Sequence, residues 1–266
     1  MTVRTAIEKA NADGRAALIG YLPVGFPDLP TSVAAMRAMV AGGADVIEVG
    51  LPYSDPLMDG PVIQRATEAA LAGGTRTADA FTAVRAVAEA GAPVLVMTYW
   101  NLIDHYGVEK YATELAAAGG SGLITPDLLP DDAADWHDAA DRHGLDRVYL
   151  LALSSTAPRI AMTAGASRGF IYAASLMGVT GERQSVGAGA RELVGRIKAV
   201  TSTPVCVGLG VRDATQAAEV GAYADGVIVG SAFVRALAEA PDAAAGVAAV
   251  EALARDLSAG VRAAHR

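Results

Sequence analysis

The feature that most constrains this chain is periodic: a short, uniformly apolar, β-branched run recurs eight times, and helix-forming sequence follows each one. The runs are Ala17–Leu22, Val46–Gly50, Pro93–Thr98, Gly122–Thr125, Arg147–Leu153, Gly169–Ala173, Pro204–Gly208 and Asp225–Val229. A strand that is apolar at nearly every position must be covered on both faces, the condition of a parallel sheet with helices packed outside it. Eight βα units of about 30 residues each fit a closed (β/α)8 TIM barrel better than an open doubly wound sheet. No linker or low-complexity stretch divides the chain, which predicts one barrel domain over residues 1–266. Extra helices are expected at the N-terminus and, over Ala232–Glu239 and Ala243–Leu257, at the C-terminus. Thr31 is expected to cap the helix after the first strand, and Pro61 to open the helix after the second.

Several function classes are excluded on chemical grounds. A net charge of −8 and a pI near 5.0 do not make a nucleic-acid surface, which needs clustered Lys and Arg. Cys206 is the only cysteine and sits in an apolar run, so it reads as a small buried hydrophobe and no disulfide framework exists. The polar, amphipathic start MTVRTAIEKANADGR lacks the apolar segment of a secretory signal, and no run is long enough to span a bilayer. The expectation is a soluble cytoplasmic protein. His105, His137, His143 and His265 are scattered without metal-ligand spacing, so no metal is predicted. The acids Asp131, Asp132, Asp135, Asp138 and Asp141 read as a solvated helix face. No Gly-x-Gly-x-x-Gly follows the first strand. Lys9, Lys110 and Lys198 all fall in predicted helices, which removes an imine route to aldol chemistry.

What remains is concentrated in Ala44–Gln64, where Glu48 lies inside an apolar strand and Asp59 in the turn-rich loop after it. Desolvating an unpaired carboxylate is expensive. Glu48 is therefore either half of a structural ion pair with a nearby arginine or a group of raised pKa able to give and take a proton. Asp59 is either a cap for the helix opened by Pro61 or a second functional carboxylate. Glycine-bearing loops after the last three strands, with Gly178–Gly181, Gly208–Gly210 and Gly230-Ser231, suit a phosphate held by backbone N–H groups and a helix N-terminus. Taken singly, each is also an ordinary turn. Two acids facing a phosphate site point to proton-transfer chemistry, an isomerisation or a retro-aldol cleavage, and do not name the substrate.

The run from Glu48 to Gln64, EVGLPYSDPLMDGPVIQ, closely resembles the signature of the tryptophan synthase α-subunit family. The resemblance extends over essentially the whole chain through Met97–Asn101 (MTYWN), Pro126-Asp127-Leu128, Gly169–Tyr172 (GFIY), Gly178–Gly181 (GVTG), Gly208–Val211 (GLGV) and Gly230-Ser231, in family order. It implies a lyase that reversibly cleaves indole-3-glycerol phosphate to indole and glyceraldehyde 3-phosphate. By the same resemblance, Glu48 is the general acid/base at indole C3, and Asp59 binds the indole N–H and stabilises the cationic intermediate. Tyr21 and Tyr172 would line the indole pocket, and Gly181, Gly210, Gly230 and Ser231 would cradle the phosphate. No cofactor is implied in this subunit; pyridoxal phosphate would belong to a β subunit, with which the chain would form an α2β2 heterotetramer that channels indole. Loops Pro52–Gly60 and Gly178–Gly189 would be the closing elements at that junction.

The chain departs from the usual family pattern at Phe26, at Leu129 and across Leu153–Pro158, which bears on the pocket's shape and the partner surface rather than on the acid pair. Alternative readings are a stand-alone lyase releasing free indole, a non-catalytic regulatory α-like subunit, and a phosphate-binding isomerase on the same barrel. Intact Glu48, Asp59 and phosphate loops speak against the regulatory reading, and Ser54-Asp55-Pro56 speaks for the lyase over the isomerase.

Overall fold

A computed structural model of the chain describes residues 1–55, 58–174, 185–208 and 210–264, without the side chains of 185–187. The predicted strands form one parallel barrel: β1 (Ala17–Pro23), β2 (Val46–Gly50), β3 (Val94–Met97), β4 (Gly122–Ile124), β5 in two pieces (Asp146–Val148 and Leu150–Ala152), β6 (Ile171–Ala174), β7 (Val205–Gly208) and β8 (Gly226–Val229). β1 pairs with both β2 and β8. The first piece of β5 pairs with β4 and the second with β6, so the ring closes through a strand interrupted only at Tyr149.

Helices α1 (Val3–Ala12), α2 (Leu29–Ala41), α3 (Pro61–Ala72), α4 (Asp79–Glu89), α5 (Trp100–Tyr106), α6 (Val108–Ala117), α7 (Ala134–His143), α8 (Ala157–Ala166), α9 (Ser185–Lys198), α10 (Ala214–Gly221), α11 (Ser231–Ala238) and α12 (Ala243–Ala263) complete the described elements, with a 3-10 turn at Pro130–Asp132. Helix α5 was not anticipated, being one short segment immediately before α6. The cap of α2 is Asp28 rather than Thr31. The Asp28 carboxylate accepts the Thr31 N–H at 2.8 Å, and Pro30 sits in the first turn, where its missing N–H costs nothing.

The uniformly apolar strands bury two separate faces, as successive side chains alternate. Leu18, Leu22, Ile47, Val49, Val94, Val96, Leu123, Ile171, Val205, Val207, Val227 and Val229 point out under the helices. Ala17, Ile19, Val46, Leu95, Ile124, Val148, Phe170, Cys206 and Ile228 fill the barrel, together with Val3, Ala6, Ile7 and Ala10 of α1. The amphipathic start is thus a plug. It packs on the first residues of β1 and β2 and closes the N-terminal mouth, and Asn11 donates to the Asp225 carbonyl at 2.9 Å. Only the C-terminal mouth is left for chemistry. Cys206, as expected, is a buried residue of the inner wall.

Candidate active site

The inner-face alternation of β2 runs Val46, Glu48, Gly50, so the carboxylate of Glu48 points into the barrel just above its apolar filling. In register, Glu48 lies beside Tyr21 of β1 and Leu95 of β3. It is fully buried, and neither carboxylate oxygen has a hydrogen-bond partner among the described residues. Among the described residues, then, no arginine or lysine pairs with Glu48. Burial without a cation favours the neutral acid and pushes the Glu48 pKa up to about 8, so the group carries its proton at neutral pH.

Asp59 follows in the loop. It does not cap α3: the cap position is Gly60, which makes no side-chain cap bond. The backbone carbonyl of Asp59 is instead fixed by Gln64, whose Nε2 donates to it at 2.9 Å. Partial burial raises its pKa to about 6, leaving it mostly ionised at neutral pH. One strand-to-loop junction thus presents a protonated acid on a rigid strand and a carboxylate on the loop. Asp59 lines a small cavity of about 10 Å³ with Tyr21, Leu51, Met97, Thr98, Tyr99 and Pro126.

Both tyrosines predicted for the pocket are in the same group. Tyr21 is buried and Tyr172 partly buried, and both phenols have pKa values well above the ordinary range through desolvation first and then the nearby acid charges. Asp59 leads Glu48 at Tyr21, and Glu48 leads Asp59 at Tyr172. Three strand-end glycines give these rings their space. A Cβ at Gly50 would stand 2.4 Å from the Tyr21 hydroxyl, one at Gly230 would stand 3.0 Å from Tyr21 Cδ1, and one at Gly208 would stand 2.4 Å from the Tyr172 hydroxyl. These glycines admit aromatic side chains across the barrel mouth. Gly208→Ala is accordingly expected to displace Tyr172 and raise KM for an aromatic substrate by about tenfold or more, while a Gly208→Ala/Tyr172→Phe double variant, freed of the hydroxyl clash, recovers part of the loss. Steady-state kinetics on the three variants checks this.

Of the predicted phosphate residues, Gly181 lies outside the described residues, as do positions 178–184 of the predicted closing loop. Gly210 adopts φ +68° with open space beside its α-carbon. Gly230 is the cap residue of α11 and Ser231 the first residue of that helix, whose N-terminus has no side-chain cap. The neighbouring helix α10 is different, because Asp213 caps it by accepting the Gln216 N–H at 2.9 Å. A helix N-terminus without a side-chain cap, as at α11, is what an anion requires; an acid already occupies the equivalent place at α10. Among the described residues no His, Cys, Asp and Glu cluster is arranged to hold a metal. Sequence reasoning gave no role to Leu51, Met97, Thr98, Tyr99 or Pro126. The available signal was their place at the C-terminal ends of strands β2, β3 and β4, where barrel chemistry is built.

A closed barrel whose open mouth holds a protonated inner-wall carboxyl, an ionised loop carboxylate and two tyrosine rings is equipped for proton transfer on an aromatic compound. The sequence profile of the tryptophan synthase alpha chain family matches residues 7–262. The tryptophan synthase alpha chain of Thermobifida fusca is 58% identical over 270 residues, covering all of both chains. A Mycobacterium tuberculosis tryptophan synthase structure superposes with a TM-score of 0.91 at 57% identity over 98% of each chain, and the tryptophan synthase subunit alpha of Legionella pneumophila with 0.88 at 33% over 98% of each. The chain belongs to the tryptophan synthase alpha chain family.

Proposed function

We propose that this chain is the lyase of an α2β2 tryptophan synthase, cleaving indole-3-glycerol phosphate reversibly to indole and D-glyceraldehyde 3-phosphate in L-tryptophan biosynthesis. The observation that carries the reading is Glu48: a fully buried carboxyl with no hydrogen-bond partner among the described residues, protonated at neutral pH, with the mostly ionised Asp59 in the loop after its strand. The Glu48 acid gives its proton to indole C3, and the ring becomes an iminium whose N–H lies against the Asp59 carboxylate. That carboxylate stabilises the positive charge as it forms. Glu48, now ionised, takes the proton from the hydroxyl on the side-chain carbon attached to C3. The C–C electrons return to the ring, indole leaves with the new hydrogen on C3, and the aldehyde forms. One proton enters and one leaves, so Glu48 ends the cycle in its starting state.

Tyr21 and Tyr172 wall the indole ring, while Gly210, Gly230 and Ser231 offer backbone donors to the phosphate at the other end of the ligand; Gly181 is assigned to that cradle by its motif. Every step uses side chains of this chain, and pyridoxal phosphate belongs to the β partner. The reading takes residues 1–266 as one barrel domain. A cytoplasmic location fits the absence, among the described residues, of any helix long and apolar enough to cross a membrane. The regulatory reading is disfavoured because it would leave the desolvated Glu48 without a use.

The test is indole release from indole-3-glycerol phosphate by the purified chain, with and without a β subunit. Turnover that rises at least about tenfold on adding the partner supports the α2β2 assignment. Equal turnover in both supports the stand-alone lyase, and none in either refutes the reaction.

A further inference from the structure

Two motifs, Met97–Asn101 and Pro126–Leu128, carry no step of the reaction above, yet both converge on the loop that presents Asp59. Tyr99 is buried just beyond the end of β3 and forms the cap residue of α5. Its hydroxyl oxygen accepts the backbone N–H of Met58 at 2.9 Å, one residue before Asp59. Its ring stacks on Tyr53, near the start of the same loop, with centroids 5.0 Å apart and planes at 30°. Asn101 Nδ2 approaches the Tyr53 hydroxyl at 3.5 Å. Tyr99 is itself secured from the loop after the next strand. The Asp127 carboxylate accepts the N–H of Trp100 at 2.9 and 3.1 Å, supplying from the loop after β4 the cap bond that α5 otherwise lacks.

We propose that Tyr99 is the positioning residue of Asp59, tying Met58 and Tyr53 to the end of β3, with Asp127 holding Tyr99 in place. The inference rests on the role of Asp59 proposed above. A carboxylate that must meet a developing charge works only within about half an ångström of its productive place, which strands supply better than loops. Glu48 has that rigidity from β2. Asp59 is a loop residue and takes it at second hand: a hydrogen bond to the preceding residue and a ring stack five residues before that bond anchor the loop to the barrel wall. Tyr99 also lines the cavity that Asp59 faces, so wall and tether are one side chain. Burial pushes its pKa up to about 12, which keeps the hydroxyl neutral through any working pH.

Tyr99→Phe keeps the ring and its stack and removes only the acceptor. With indole-3-glycerol phosphate, kcat is expected to fall at least about tenfold with KM changed less than about threefold, and the Met58 amide to exchange faster with solvent while the melting temperature stays within a few degrees. In an Asp59→Asn background, measured by single turnover, the same change should cost less than about threefold, because the group being positioned is already lost. Equal losses in the two backgrounds, an unchanged Met58 amide, or a fully active Tyr99→Phe enzyme overturn the inference and leave the reaction intact. A fully active Asp59→Asn enzyme instead overturns the assignment of Asp59, and the positioning role falls with it.

Discussion

Glu48→Gln is expected to lower kcat for indole-3-glycerol phosphate by about 10²–10⁴-fold with KM nearly unchanged, the range typical of losing a general acid–base group. The substitution keeps the side chain's shape and breaks no hydrogen bond among the described residues, where neither carboxylate oxygen has a partner. What it removes is the transferable proton. In the wild type, kcat/KM should decline as pH rises through about 8, where the acid is lost, and the residual activity of the variant should lack that limb.

Stability gives an independent check. The folded pKa of Glu48 lies above its ordinary value of 4.5, so the folded state holds a proton that the unfolded state has released. Between about 4.5 and 8, stability therefore falls as pH rises, and it levels off above that window. Thermal melts should show Glu48→Gln gaining on the wild type across the window, with the gap constant above it. A pH-independent gap would mean that Glu48 is not protonated in the folded enzyme.

Asp59→Asn should cut kcat by about 10²–10³-fold, the scale of removing one preorganised electrostatic partner from a charged transition state. Its sign with pH is opposite to that of Glu48. Asp59 must be ionised to stabilise the iminium, so wild-type kcat/KM should rise through about 6. Together the two carboxyls give a bell with limbs near 6 and 8. The asparagine variant should keep the alkaline limb and lose the acidic one. Steady-state rates of both variants from pH 5 to 9 separate the roles, and a Glu48→Gln enzyme that lost the acidic limb instead would reverse the assignment.

Much of the molecule is legible in its sequence because the relevant information is local. The inside-outside alternation of a strand and the place of a helix after it depend on near neighbours, and all eight strands fall where the apolar runs do. Resolution fails where a contact partner lies far along the chain. Thr31 was a plausible cap, but Asp28 starts the helix a turn earlier. Helix α5 is only seven residues long, and its N-terminal bond comes from Asp127, 27 positions away. Gly208 and Gly230 read as phosphate-loop glycines, whereas their side-chain-free faces also admit Tyr172 and Tyr21; that second demand exists only once other strands stand beside them.

The junction of β2 and its loop divides the same way. The sequence by itself determined that two carboxyls flank one strand end, and that the strand between its turns is too apolar to welcome either. Whether Glu48 would find a cation was decided by the tertiary structure. That depends on what the other seven strands and α1 deliver to the barrel interior, and among the described residues they deliver aliphatic chains, Phe170, the phenols of Tyr21 and Tyr172, and the sulfurs of Met97 and Cys206, but no cation. Without a counter-charge, desolvation keeps the proton on Glu48, and the carboxyl becomes an acid.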